Sequence, residues 1–234
     1  MSPVRRGAAS RPAARSLAVL AGAAALALAL AGCSPSLRSS EQAATTYVLR
    51  PVVVAAQDPA SEAARRAARA SIQVLRPVPQ AGYVSDRVLL RRGDLSLGYY
   101  AGARWADNLP RMVEGLMVST LRLSGTLRSV QDDGGPFLPD YSLRLTIRRF
   151  DAELGADGVP RVRVAFDCVL GRQSDRQVVA AFTAEGSAVA AEHRMSEVMP
   201  AFEQAAQQAL ASAASQLLAA VGADEPVRPA PRAP

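Results

Sequence analysis

The residues that could take part in covalent or acid–base chemistry are few and lie far apart in the sequence. The chain has one histidine, His193, and two cysteines, Cys33 and Cys168. It contains no Gly-x-Ser-x-Gly, His-Glu-x-x-His or Cys-x-x-Cys spacing and no phosphate-binding P-loop. Those spacings serve serine hydrolysis, zinc catalysis, zinc or redox dithiols, and nucleotide binding, respectively. The sequence therefore predicts a protein that is not an enzyme and that needs neither a metal nor a cofactor.

Two further groups have ordinary structural interpretations. Asp132 and Asp133 are adjacent carboxylates, but the Gly-Gly-Pro sequence after them is typical of a turn, which we favour over an acid–base pair. Cys168 falls on the inward phase of a predicted strand, where a cysteine behaves as a small apolar residue rather than as a reactive thiol. We therefore expect neither group to act in catalysis.

Cys33 is the residue with the clearest predicted modification. Leu30-Ala31-Gly32-Cys33 has the form of a bacterial lipobox. It follows four arginines and an apolar run of about 15 residues, which is the anatomy of an export signal and too short for a membrane span of about 20 residues. The lipobox predicts cleavage between Gly32 and Cys33, diacylglycerol on the Cys33 sulfur, and N-acylation, for example with palmitate. The alternative is an ordinary secretory signal in which this cysteine is incidental.

Removal of that signal changes how the composition is interpreted. The net charge is +6, but four of the arginines precede residue 33, so residues 33–234 carry +2. This small charge, together with export, argues against a nucleic-acid partner. Ser34 follows the cysteine where, in enteric bacteria, an Asp would favour retention at the inner membrane. By analogy, we expect lipid anchoring in the cell outer membrane, on its periplasmic face.

The sequence divides into four predicted parts. Residues 1–32 form a lipoprotein signal peptide, 33–45 a polar tether, 46–222 a folded domain, and 223–234 a disordered Pro/Ala-rich tail. A single core is expected, because about 200 residues can bury one good core.

Hydrophobic periodicity predicts an α+β fold: a mixed, largely antiparallel sheet covered by two main helices. Strands are predicted at 47–54, 71–75, 87–91, 94–100, 127–131, 141–147, 161–170 and 177–187. A short helix or solvated loop is predicted at 60–70, opened by Asp58 as N-cap and Pro59. The two main helices are predicted from Asp107 or Asn108 to Gly125 and over 197–221. The last three strands should form an antiparallel meander, with a bulge at 148–150 and a hairpin turn at Asp157-Gly158.

Aromatic and arginine side chains mark a candidate partner interface. Such residues are enriched at interface hot spots, and the sequence brings Tyr99, Tyr100, Arg104 and Trp105 close together. The alternative is that these rings are core residues, with Trp105 packed as a staple just before the helix predicted to start at Asp107 or Asn108.

The order of segments resembles the ABC-type transport auxiliary lipoprotein family, which includes the lipoprotein of the paraquat-inducible transport system. The resemblance spans roughly residues 33–221 and depends on the order of several short motifs. These motifs are the lipobox, Tyr47-Val48-Leu49-Arg50-Pro51, Tyr83-Val84-Ser85-Asp86-Arg87, Arg104-Trp105-Ala106-Asp107 and Arg149-Phe150-Asp151.

The resemblance implies an accessory role beside an ABC transporter. Such systems pair a permease and a cytoplasmic ATPase with a mammalian-cell-entry type substrate-binding protein, and they move phospholipids or other apolar molecules between membranes. The resemblance implies these partners and leaves a homo-oligomer open. A second hypothesis is a structural lipoprotein that braces an envelope complex without handling lipid, and a third is a degenerate enzyme. A lipid-sized apolar groove would favour the transport role, and a flat apolar surface would favour bracing.

Overall fold

The computed structural model describes residues 43–54, 58, 60–93 and 96–224. The predicted signal peptide, the cleavage site, Cys33 and most of the tether lie outside the described residues, as does the tail from residue 225. Among the described residues, no helix has both the length and the apolar character needed to cross a membrane.

The described residues contain nine strands and three helices. In chain order they are β1 Thr45–Tyr47, α1 Glu62–Ala67, β2 Ser71–Val74, β3 Val78–Pro79, β4 Arg87–Arg92, β5 Ser96–Trp105, α2 Leu109–Leu123, β6 Ser129–Gln131, β7 Tyr141–Leu154, β8 Pro160–Arg172, β9 Val178–Val189 and α3 Met195–Ala223.

Strand β7 is the centre of a single sheet. Along one edge it pairs in parallel with β2, β3 and β4 in turn, and along its other edge it pairs antiparallel with β8. Strand β9 continues the meander beyond β8, and β5 and β1 continue the sheet beyond β4. The longest pairings are antiparallel, and the parallel ones each join only two or three residues. The predicted α+β class with a mixed, largely antiparallel sheet is confirmed.

The alternation of apolar and polar side chains along β7 explains which face of the sheet is buried. Leu143, Leu145 and Ile147 point into the core, whereas Arg144 and Arg148 on the opposite face are exposed. The register of β7 against β8 shifts between Ile147 and Arg149, as predicted, and Phe150 is buried after the shift. The two long helices cover the buried face, and the opposite face, here called the open face, carries charged side chains.

Helix α2 begins and ends where its sequence predicts. The Asn108 side chain accepts a hydrogen bond from the Arg111 N–H at 3.1 Å, Pro110 lies in the first turn, and Gly125 adopts a positive φ of 63° just past the end. Helix α3 packs on β8 and β9 through alanines that are fully buried, including Ala205, Ala209 and Ala213. Their small side chains allow the helix axis to lie close to the sheet.

Four predicted boundaries were wrong, the first being the end of the strand predicted at 141–147, which continues as β7 to Leu154. The strand predicted at 47–54 is instead Thr45–Tyr47, because residues 48–54 cross the helices. Arg50 pairs with Glu203 of α3 at 2.6 Å, and the Val52 N–H donates to Thr120 of α2. Helix α1 is capped by Ser61 instead of Asp58. Strand β5 runs on to Trp105 instead of ending at residue 100, and Gly102, with a φ of 66°, lies within it.

Candidate functional site

A groove lies at the end of the sheet where β7 begins and β8 ends. Helix α1, residues 138–141, the end of β8 and the C-terminal end of α3 line a cavity of about 810 Å³, here called the end groove. Cavities of roughly 300–1,000 Å³ are typical of small-molecule sites. The walls contain both apolar and charged side chains. The apolar ones include Leu138 and Val221, and the charged ones are Arg66, Arg69, Arg172, Glu62, Asp140 and Asp224.

The carboxylates of the end groove already have hydrogen-bond partners. Asp140 accepts from the Ser71 N–H and hydroxyl at 2.8 and 2.7 Å and from Arg128 at 2.8 Å. Asp224 accepts from the Tyr141 hydroxyl at 2.8 Å and from Arg172 at 3.0 Å. Burial, followed by the bond to Asp224, raises the pKa of Tyr141 to about 12, so this hydroxyl keeps the proton that it donates.

Glu62 is the third carboxylate of the end groove. It accepts from Arg65 at 2.9 Å and lies 3.6 Å from Arg66. The bond from Arg65 is the main reason that the pKa of this exposed carboxyl is below its ordinary value. Each of the three acids is therefore paired with at least one arginine.

The arginines of the end groove keep donors that these acids do not use. The Arg172 side chain is 15% exposed, and its Nη2 binds Asp224, but its Nε and Nη1 make no hydrogen bond with the described residues. Nη1 lies 3.4 Å from Asp175, close enough for Coulomb attraction but without hydrogen-bond geometry. Arg69 is exposed and has no ion pair or side-chain hydrogen bond with the described residues. The guanidinium of Arg69 is therefore an accessible donor that the described residues leave unpaired, whereas Nε and Nη1 of Arg172 are buried.

Two large apolar side chains beside the end groove are exposed to solvent. Phe137 is 78% exposed and Leu138 is 97% exposed, and Leu138 lines the cavity. The Gln131 side chain holds their loop, since its amide donates to the Phe137 carbonyl and its oxygen accepts from the Phe137 N–H. A Cβ on Gly135 would clash with the Gln131 side chain, so a larger residue there would displace Gln131 from the Phe137 backbone. The loop is thus held in one shape that exposes both side chains.

A second charged cluster lies on the open face. Asp151 is fully buried, and it accepts from Arg91 at 2.7 Å and from Arg149 at 3.1 and 3.2 Å. Arg91 also donates to the Tyr83 hydroxyl at 3.0 Å, and burial raises the pKa of Tyr83 above its ordinary value. Arg149 continues to Glu153 at 3.2 Å. Because each carboxylate is paired and few apolar groups are nearby, we interpret this cluster as structural.

The structure separates the four predicted interface residues into two pairs. Trp105 is 3% exposed and packs edge-on against Phe150 and Phe202, so it belongs to the core. Tyr100 is also buried, and burial raises its pKa to about 12. These two rings have no free surface for a partner, because β5 turns both toward the packed face.

Tyr99 and Arg104 lie at the surface. The Tyr99 ring is 38% exposed, and the Arg87 guanidinium stacks on it at 4.2 Å. Arg104 pairs with Asp86 at 2.9 Å and lies opposite Arg87 in the pairing of β4 with β5. The candidate interface therefore becomes a surface patch of Arg87, Tyr99 and Arg104, here called the β4–β5 patch.

The residues with possible covalent chemistry are not brought together. His193 is exposed and touches the Tyr100 ring, whereas Cys168 is 1% exposed within β8, and burial raises the pKa of its thiol to about 12. The carbonyl of Asp132 accepts from the Gly135 N–H, which confirms the predicted turn. In the part of the chain that the structure describes, no group of three metal-ligating side chains is found.

Sequence reasoning missed the end groove. Its walls come from four segments that are distant in the sequence, and no single segment carries a motif. One signal could have pointed to it: Phe137-Leu138 places two large apolar residues between Pro136 and Pro139 in a loop, where polar residues are usual.

Comparisons with known proteins identify relatives of this fold. The family model described as the ABC-type transport auxiliary lipoprotein component matches residues 47–224. Protein XCC0632 from Xanthomonas campestris is 26% identical, with a TM-score of 0.66 over 76% of this chain and 96% of its own. The hypothetical protein CT253 from Chlamydia trachomatis is 7% identical, with a TM-score of 0.50 over 67% of this chain and 100% of its own, and shows the fold alone. No curated protein matches the chain.

Proposed function

The chain belongs to the ABC-type transport auxiliary lipoprotein family, and we propose that it is the periplasm-facing accessory of a mammalian-cell-entry type ABC transporter. In this role it helps to move phospholipids or other apolar molecules between the inner and outer membranes. The observation that carries the proposal is the family match over residues 47–224, which covers nearly all of the described domain. Membership of a lipoprotein family implies that the chain is anchored to a membrane of the cell envelope. We propose that this membrane is the outer membrane.

The anchor that fits this role is lipid on Cys33. The folded domain begins at β1 with Thr45, so residues 34–44 would separate the lipid from the first strand. The polar tether predicted from the sequence would span about 20 Å on average. Three acyl chains on one cysteine would give stable anchoring, since one chain binds a membrane only marginally. The domain would then stay near the bilayer while clearing its headgroups.

The β4–β5 patch is the surface that we propose for the transport component. It combines an exposed aromatic ring with two arginines, the residue types most often found at interface hot spots. Arg87 and Arg104 have partly exposed guanidinium groups, so an acidic or aromatic partner surface would suit them. The role assigned to this patch is to hold a partner, and no catalytic step is assigned to the chain.

Photocrosslinking in cells tests this proposal. A photoreactive amino acid at position 99 or 104 should trap a mammalian-cell-entry type protein, its permease, or another copy of this chain. The control position is Glu185, which is exposed on β9 at the opposite edge of the sheet and should trap these proteins much less. If only unrelated envelope proteins are trapped, and deletion of the gene leaves outer-membrane lipid unchanged, a bracing role replaces this proposal.

A further inference from the structure

We propose that the end groove binds an amphiphile with an anionic headgroup, which Arg69 binds beside the positive charge of Arg172, while Leu138 and the neighbouring Phe137 cover its apolar part. The inference rests on the proposed function, because it assigns this chain itself a share in handling the transported molecule. It adds the binding site and the charge of the ligand, neither of which follows from the family.

The charge preference follows from which groups are already paired. Glu62, Asp140 and Asp224 each accept hydrogen bonds from an arginine, so a cationic headgroup would meet no vacant carboxylate. Arg69 has no such partner among the described residues and its side chain is exposed, so it can donate to a ligand. Arg172 contributes its positive charge to the wall, since its Nε and Nη1 are buried and its Nη2 is bound to Asp224. Phosphate and carboxylate oxygens are the acceptors that guanidinium groups bind best. A headgroup with a negative charge therefore fits, and a purely neutral one leaves donors unused.

The apolar preference follows from the loop beside these arginines. Large apolar side chains are rarely left this exposed side by side, and contiguous exposed apolar surface marks contact with an apolar partner. Gln131 fixes the loop through two hydrogen bonds to Phe137. Since the loop is held in place before any ligand arrives, little ordering cost would oppose binding.

The shape of the end groove agrees with a ligand of this kind. Its volume of about 810 Å³ is sufficient for a headgroup and part of an acyl chain. Leu138 and Pro139 lie in one wall, and Arg66, Arg69 and Arg172 line the cavity with them, so apolar and charged surfaces meet within a single site. The charged cluster around Asp151 lacks this combination, because its lining is almost entirely polar.

Binding of short-chain phospholipids tests the inference. The lipidated full-length mature protein is placed in phosphatidylcholine nanodiscs and titrated with dihexanoyl-phosphatidylglycerol, dihexanoyl-phosphatidylcholine or inorganic phosphate. We expect phosphatidylglycerol to bind most tightly. Arg69→Gln and Leu138→Ser should each weaken its binding by about tenfold, the effect of losing a charged hydrogen bond or a buried apolar group.

Matched controls separate the end groove from general surface effects. Arg144→Gln removes an exposed arginine of the open face, and Leu123→Ser removes a half-exposed leucine at the end of α2. Both controls should change the affinity for phosphatidylglycerol less than twofold. All four substitutions alter exposed side chains, so the fold should be retained, and circular dichroism checks this.

Each alternative result contradicts a stated part of the inference. Equal affinity for phosphatidylcholine would refute the anionic headgroup, and equal affinity for inorganic phosphate would refute the apolar contact. No binding of any probe would refute the site. If the β4–β5 patch still crosslinks to the transport component, only the groove assignment fails. If that crosslinking is also lost, the proposed function fails with it.

Discussion

Replacing Gly186 with alanine should force helix α3 away from the sheet. Gly186 lies in β9 beneath α3, and a Cβ built there would lie 2.0 Å from the Ala205 carbonyl oxygen and 2.9 Å from the Ala209 nitrogen. Real Cβ atoms essentially never come within 3.0 Å of such atoms, so the helix backbone must move by about 1 Å or more. The third close atom is the Gln208 Cβ at 2.8 Å, and because a Cβ is fixed to the backbone, no side-chain rotation can relieve the clash.

The size of the effect follows from what that movement disturbs. Extra atoms in a packed core cost about 1–3 kcal/mol and occasionally more. Here the shift also loosens the buried alanines of α3 and the two bonds by which Gln208 and Gln216 reach the Ser187 N–H and the Thr183 carbonyl on β9. We therefore expect the free energy of unfolding to fall by about 3 kcal/mol.

Urea unfolding monitored by circular dichroism measures this loss, and Gly115→Ala is the matched control. Gly115 is exposed within α2, and no atom lies within 4 Å of its ideal Cβ. Because alanine favours helix over glycine by up to about 1 kcal/mol, this control should stabilise the protein. The same chemical change should thus act in opposite directions at the two sites. A loss below about 0.5 kcal/mol for Gly186→Ala would refute the close packing of α3 on β9.

Three further predictions concern buried groups. Asp151→Asn should lower the free energy of unfolding by about 3 kcal/mol in urea titrations, because it removes the buried charge that pairs with both Arg91 and Arg149. Asp157→Asn, at an exposed ion pair, should lower it much less, and equal losses would contradict the interpretation of the Asp151 cluster as a buried charge network. Trp105→Ala should cost about 3–5 kcal/mol in the same assay, since the ring contacts two phenylalanines in the core, and a loss below about 1 kcal/mol would place it at the surface. The Cys168 thiol should react with a thiol reagent at pH 8 only when the protein unfolds, and fast labelling of the native protein would contradict its burial.

The same thiol predicts how stability depends on alkaline pH. Burial raises the pKa of Cys168 from 9.0 to about 12. The unfolded chain therefore loses this proton first as the pH rises, and the stabilising contribution present below about pH 9 is lost between pH 9 and pH 12. Urea titrations of wild type and Cys168→Ala at pH 8 and pH 10.5 measure it. The difference in unfolding free energy between the two proteins should change with pH, and a constant difference would contradict the raised pKa.

Local sequence patterns predicted the parts of the fold that local chemistry determines. The cap at Asn108, the stop at Gly125 and the register shift after Ile147 depend on neighbours in sequence, and each was confirmed. Residues 48–54 have strand propensity but cross α2 and α3, because tertiary contacts with Thr120 and Glu203 replace sheet pairing. Propensity alone cannot foresee such contacts.

The candidate site was less predictable than the fold for the same reason. The Tyr99 and Tyr100 side chains leave opposite faces of β5, and which face is buried depends on what packs on it. The end groove depends on α1, β7, β8 and the end of α3 meeting in space. Only Phe137-Leu138, an apolar pair in a turn, gave a local hint of that site.

Copurification from native envelopes tests the central claim most directly. The mature protein, tagged at its C-terminus, is isolated in mild detergent from cells that express it at the natural level, and its companions are quantified by mass spectrometry. The proposed role predicts that a mammalian-cell-entry type protein and its permease are enriched with the wild type, and that a variant with Tyr99→Ala and Arg104→Ala loses most of this enrichment. Recovery of only unrelated envelope proteins with the wild type would contradict it.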